Sequence, residues 1–239
     1  MFAWRQDDGA ARLAVTDRAG GVSTGPYASL NLATHVGDDP AAVRRNRTLL
    51  ADAVGVGPDR LLFAEQVHGS DVLEVTAPWP GEPPRADALV TREPGLALGV
   101  LVADCTPVLL ADPAAGVVGV AHAGRRGLVS GVAVRLVEAM RDLGATSVTA
   151  WVGPSICPRC YEVPADLRAE VAAGAPAAYA VDVAGRPALD VGAGVAEQLR
   201  PLCARVDWRH GCSRADADLY SYRGEQVTGR YAGLAWLAG

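Results

Sequence analysis

The chain has 239 residues, half of them hydrophobic and about a fifth charged, enough for one large core and incompatible with general disorder. The formal net charge of −5 excludes a global basic field for nucleic acid. Every basic residue is arginine, which excludes a Schiff-base lysine and a phosphate-binding P-loop lysine. No stretch reaches the length of an apolar membrane span, and Met1–Asp8 carries no basic-then-apolar leader, so a cytoplasmic protein without a membrane partner is expected. An odd number of cysteines, five, argues against a disulfide framework.

In chain order, Leu13–Thr16 reads as a strand and is followed by a glycine-rich loop holding Ser29-Leu30-Asn31-Leu32 and His35. Asp39 is placed to cap a helix with Pro40 at its first position, running from Ala41 to Val54 and stopping at Gly55. Two short strands, Leu61–Ala64 and Asp71–Val75, bracket His68. The Pro-Gly-rich stretch Pro78–Pro84 is a loop within one sheet rather than a domain boundary. Ala86–Val90, Leu96–Val102, Val108–Ala111 and Val117–Ala121 are near-continuous apolar runs, as strands buried on both faces require. Leu128–Leu143 has helical spacing, Ser147–Val152 is a strand, helices are expected at Ala165–Ala173 and Val191–Leu202, and Leu234–Leu237 closes the chain as a strand.

Three strand ends carry one metal-capable side chain each. His68 stands in Gln-Val-His-Gly, Cys105 in Ala-Asp-Cys-Thr-Pro and His122 in Ala-His-Ala-Gly, each beside a Gly or Pro turn. Two imidazoles and one thiolate with no fourth protein ligand are what a catalytic zinc needs. Asp104, next to Cys105, is a candidate to orient a ligand histidine or to carry protons. Arg125 and Arg126 open the helix after His122 and suit an anion. Cys157-Pro158-Arg159-Cys160 is a CxxC with Cys203 and Cys212 as conceivable further ligands; lacking a second CxxC, it reads as a pair of loop cysteines. Ser155 lacks the second glycine of a nucleophile elbow, and His210 beside Gly211 is expected at the surface.

Together with Val36-Gly37-Asp38-Asp39-Pro40, Asn46-Arg47, Gly153-Pro154-Ser155-Ile156, Tyr161-Glu162-Val163, Ser221-Tyr222-Arg223 and Thr228-Gly229-Arg230, these motifs resemble, over nearly the whole chain, the laccase-domain family. That family has also been described as multicopper polyphenol oxidases and as peptidoglycan editing factors. The resemblance implies a single α/β domain over residues 1–239, folded as a four-layer α/β/β/α sandwich with mixed sheets. It implies a zinc enzyme, monomeric or a small homo-oligomer, that phosphorolyses adenosine, inosine and methylthioadenosine and deaminates adenosine. His68, Cys105 and His122 match the family's metal ligands. Cys105, His122, Asp104 and Arg47 are then the catalytic candidates, and Asn31, Arg126 and His35 the substrate-binding ones, with Arg47 and Arg126 for phosphate. Where the family carries Trp after His-Ala-Gly, this chain has Arg125, a difference that bears on substrate preference. Four histidines, His35, His68, His122 and His210, cannot fill a multicopper cluster, so copper is expected only as an adventitious occupant of the zinc site. Two other readings use the same residues: a metal-independent hydrolase with Cys105 as nucleophile and His122 as base, editing muramyl peptidoglycan precursors, and a structural zinc domain.

Overall fold

In the computed structural model, residues 1–239 form thirteen strands and six α-helices. In chain order these are β1 (Phe2–Asp8), β2 (Ala11–Thr16), α1 (Pro40–Val54), β3 (Leu61–Phe63), β4 (Val72–Glu74), β5 (Ala88–Thr91), β6 (Ala97–Val102), β7 (Thr106–Asp112), β8 (Val117–Ala123), α2 (Arg125–Val129) and α3 (Val132–Asp142). They continue with β9 (Thr149–Val152), α4 (Ala165–Gly174), β10 (Tyr179–Val181), β11 (Pro187–Leu189), α5 (Val191–Leu199), β12 (Arg205–Trp208), α6 (Tyr222–Glu225) and β13 (Tyr231–Leu237).

Two mixed sheets stack face to face. One has the order β1-β2-β13-β6-β3 and the other β12-β9-β7-β8-β5-β4; β10 and β11 form a separate hairpin. Leu13, Val15, Leu98 and Val100 of the first sheet pack against Leu109, Val118, Val120 and Trp151 of the second. On the outer face of the first sheet, Leu50 and Val54 of α1 cover Ala14, Phe63 and Leu234. On the outer face of the second, Leu136 and Met140 of α3 and Val195 and Leu199 of α5 cover Val90, Val108, Leu110 and Val152. Three apolar interfaces separate four layers, the α/β/β/α sandwich in one domain. Because both faces of each sheet are covered, β6, β7 and β8 are buried at every position, as their continuous apolar runs require.

Local signals set the element ends. The Asp39 carboxylate accepts from the N–H of Ala41, and Gly55, at φ +77°, stops α1 in the left-handed conformation glycine tolerates. The helix expected over Leu128–Leu143 is two helices, because Gly131 at φ +74° interrupts the helical backbone between α2 and α3. The loop Pro78–Pro84 joins β4 to β5, which pair in parallel within one sheet. β1, β10, β11 and β12 were not expected. β1 and β12 are edge strands whose sequences are interrupted by polar residues, and β10 and β11 are a three-residue hairpin pair too short to give a periodic signal.

Asp112, buried at the end of β7, accepts hydrogen bonds from the N–H groups of Ala115, Thr146 and Ser147 and so ties two loops together. Burial opposes its charge, but these bonds outweigh it and hold the carboxyl below the usual range. A depressed folded-state pKa adds stability that is fully present above the unfolded value of about 4 and is lost as pH falls through the folded value. Asp112→Asn is therefore expected to lower the urea-unfolding free energy by about 1–3 kcal/mol at pH 7. The difference from wild type should shrink below about pH 4; a gap that does not change with pH would contradict this role.

Candidate metal centre

The centre forms where the chain passes between the stacked sheets. Cys105 lies in the turn from β6 of one sheet to β7 of the other, and His68 in the passage from β3 to β4. His122 is the penultimate residue of β8. All three expected ligands meet: one ligand atom from each lies within 4.8 Å of the others. Cys105 Sγ is 4.0 Å from His68 Nε2, and the two imidazoles meet edge to face with centroids 4.7 Å apart. Donors bound tetrahedrally to zinc stand about 3.5 Å apart, so shifts of under about 1 Å would close the set on an ion.

His68 adopts φ +59° and Asp104 φ +94°, left-handed conformations that β-adjacent L-residues rarely take. Such strain persists only where surrounding bonds impose it. At His68 the clamp is Asp87, a buried carboxylate just before β5. It accepts from the N–H groups of Val67 (3.1 Å), His68 (2.9 Å) and Gly69 (2.6 Å). The same carboxylate binds His122 Nδ1 at 2.8 Å, which leaves Nε2 as the metal-facing atom. Burial works against the Asp87 charge, yet the bonds from His122 and the backbone hold its pKa below the usual range. Gly124 completes the packing: a Cβ there would lie 3.0 Å from Cys105 Sγ and 3.1 Å from His68 Cδ2.

Cys105 and His122 are electrostatically paired. Withdrawal from water opposes ionisation of the thiol, but the His122 charge and hydrogen bonds from both imidazoles pull its pKa down. Burial likewise disfavours the His122 cation, but Cys105 and Asp87 raise its pKa. The thiolate is the form of cysteine that binds metals. Two imidazoles, a thiolate and a carboxylate behind one imidazole fit a zinc ion that keeps an open position.

The donors open into a cleft of about 780 Å³. Arg125, Arg223 and Arg230 line it, together with Tyr161, Tyr222 and, as expected, His35. Burial and the nearby charges of Arg230 and Arg47 lower the pKa of His35. The Arg230 guanidinium is pinned by Nη1 to the carbonyls of Thr228 and Gly229. Arg125, the residue after His122-Ala123-Gly124, is part of the cleft wall.

Four expected roles are corrected. Asp104 lines the cleft as expected but orients no histidine; its carboxylate is taken by Ser213 Oγ, Ser221 Oγ and the N–H of Arg223, so it clasps the 213–223 segment to the turn. Asn31 is fully buried, and its amide is spent on Ala33, Asp38 and the N–H of Arg230. Arg126 is exposed and does not line the cleft, because one residue along α2 turns the side chain by about 100°. Arg47 sits on α1 outside the first sheet, with Nε on the Leu32 carbonyl and its guanidinium over the Phe63 ring. It reaches the cleft only through its charge on His35. His210 is exposed, as expected, and stacks on Trp208. Tyr222, Arg223 and Arg230 stand in motifs of the family resemblance but were given no role from the sequence, and Asp87 was not singled out at all. For Asp87 a signal existed: a lone carboxylate within an apolar strand run must be buried, and a buried charge needs partners.

A model of the family described as "Multi-copper polyphenol oxidoreductase laccase" matches residues 12–238. A Streptomyces coelicolor protein named purine nucleoside phosphorylase is 54% identical over 99% of this chain and 100% of its own length. The Escherichia coli purine nucleoside phosphorylase YfiH is 39% identical over 98% and 96%. A crystal structure of a Neisseria meningitidis protein superposes with a TM-score of 0.88 at 34% identity over 99% of each chain. With its metal-capable His-Cys-His centre set in a four-layer sandwich, the chain belongs to the laccase-domain family.

Proposed function

We propose that this protein is a zinc-dependent purine nucleoside phosphorylase acting on adenosine, inosine and methylthioadenosine, with adenosine deamination as a second activity. The observation that carries the reading is the His68–Cys105–His122 donor set opening into a cleft with three arginines and two tyrosines. Relatives of 39–54% identity named purine nucleoside phosphorylase support the substrate class. Zinc held by His68, Cys105 and His122 would supply a Lewis acid at the cleft floor.

The cleft volume falls within the roughly 300–1,000 Å³ typical of small-ligand sites. Tyr161 and Tyr222 offer flat faces to a purine, and the arginines offer forked donors to phosphate. In phosphorolysis a phosphate oxygen bonds to ribose C1′ as the bond from C1′ to the purine nitrogen breaks. The protein must hold the anion against that carbon and keep the base in plane. Arg230 is preset for this by its two carbonyl anchors. No helix is long and apolar enough to cross a membrane.

The test is phosphate-dependent release of hypoxanthine from inosine by zinc-loaded protein. Arg230→Met is expected to raise KM for phosphate about tenfold, a loss of about 1.4 kcal/mol, with KM for inosine little changed. The Cys105–His122 pair keeps a thiol hydrolase acting on muramyl precursors as the second reading. Chelation separates the two: phosphorolysis should stop with zinc removal, whereas amide cleavage that survives it would overturn the metal reading.

A further inference from the structure

The CxxC segment does not stand alone in the folded chain. The loop after β9 brings Cys157 and Cys160 to Cys212 of the loop after β12, and the three sulfurs lie within 4.8 Å of one another. A parallel bridge between Ser155 and Cys212 and the bond from the Cys157 N–H to Cys212 Sγ (3.4 Å) join the two loops at this point. All three side chains are half-buried free thiols. Cys203, the remaining cysteine apart from Cys105, is not part of the group.

We propose that Cys157, Cys160 and Cys212 form a second metal site, a three-thiolate cradle for a thiophilic d¹⁰ cation, zinc in the first place. The chemistry is that of a zinc knuckle: a CxxC gives two thiolates from one turn and a remote cysteine closes the set. Zinc-bound sulfurs stand about 3.8 Å apart, so the cluster needs only sub-ångström closure, and water can supply a fourth ligand. A cation also answers the charge that three thiolates would place in one small volume. Three sulfurs this close cannot all ionise without a positive charge among them.

The position gives such a site a use. Ile156 and Tyr161 flank the CxxC directly and both line the cleft. Ser213, next to Cys212, donates to Asp104 in the turn that carries Cys105. A cation on the three thiolates would cross-link two loops and hold that wall of the cleft in place without touching substrate.

The test uses the full-length reduced protein. Zinc titration of wild type is expected to end at about two equivalents, and of Cys105→Ala and of Cys160→Ser at about one each. With cobalt(II) in place of zinc, Cys105→Ala should retain most of the thiolate-to-metal charge-transfer absorption and Cys160→Ser should lose most of it. Alkylation of wild type needs no variant to fold: zinc should protect Cys157, Cys160 and Cys212 while leaving Cys203 as reactive as before. A wild type that binds about one equivalent, all of it lost in Cys105→Ala, would overturn the site. Equal alkylation of the three cysteines with and without zinc, or recovery of a Cys157–Cys160 disulfide as the resting state, would do the same. Failure of nucleoside turnover alone would leave these readouts unaffected.

Discussion

Cys105→Ala is expected to empty the main metal centre and to lower kcat/KM for phosphorolysis of inosine by about 1,000-fold or more, some 4 kcal/mol of transition-state stabilisation. The thiolate is the one anionic donor among the three ligands, and it sits in a turn rather than in a packed strand. Removing it leaves two imidazoles, one of them exposed, which hold a divalent ion weakly. Because the side chain is small and partly open to the cleft, the fold should survive, with a thermal midpoint near that of wild type. Metal analysis and steady-state kinetics on one preparation check the result. A variant that keeps both its metal and its turnover would refute Cys105 as a ligand. A metal-free wild type that phosphorolyses inosine at full rate would overturn the requirement for the metal.

Asp87→Asn should produce the second large effect, on affinity and stability together. One carboxylate holds the three consecutive N–H groups of residues 67–69 and also the Nδ1 of His122. An amide has a single acceptor oxygen, so its NH₂ group would face donors on the other side. The left-handed turn at His68 and the orientation of His122 then lose their common anchor. The expected outcome is a metal affinity lower by about 10- to 100-fold and a folding free energy lower by about 2–4 kcal/mol. Asp87 acts through the ligands and touches no substrate, so at saturating zinc kcat should recover while the metal dissociation constant stays high. Loss of stability with unchanged metal affinity would reduce Asp87 to a structural role.

Each of the three metal-capable residues was legible because it sits in a short local frame, and their grouping came from the family resemblance. A strand end beside Gly or Pro marks a place where the chain must turn, and a His or Cys there faces an opening rather than a core. The limits of α1 were legible for a similar reason: Asp39, Pro40 and Gly55 act on their own backbone. Of the arginines that line the cleft, only Arg125 was legible as a candidate from local sequence. Arg47 and Arg126 stand on helices, where the direction of a side chain follows from which face packs on the sheet, and packing turned both away from the cleft. Arg223 in α6 and Arg230 just before β13 are brought to the cleft only by the folded chain.

The sequence alone therefore determined the α/β class, the buried strands and the identity of three metal-capable residues, because continuous apolar runs and turn residues act over a few positions, while the four-layer sandwich came from the family resemblance. The tertiary structure alone decided what surrounds them. Asp87 reaches back about twenty residues to clamp the His68 turn, and Cys212 crosses more than fifty to join the CxxC. Such partners are chosen by strand order and sheet stacking, and no local rule of spacing encodes which distant loops will meet.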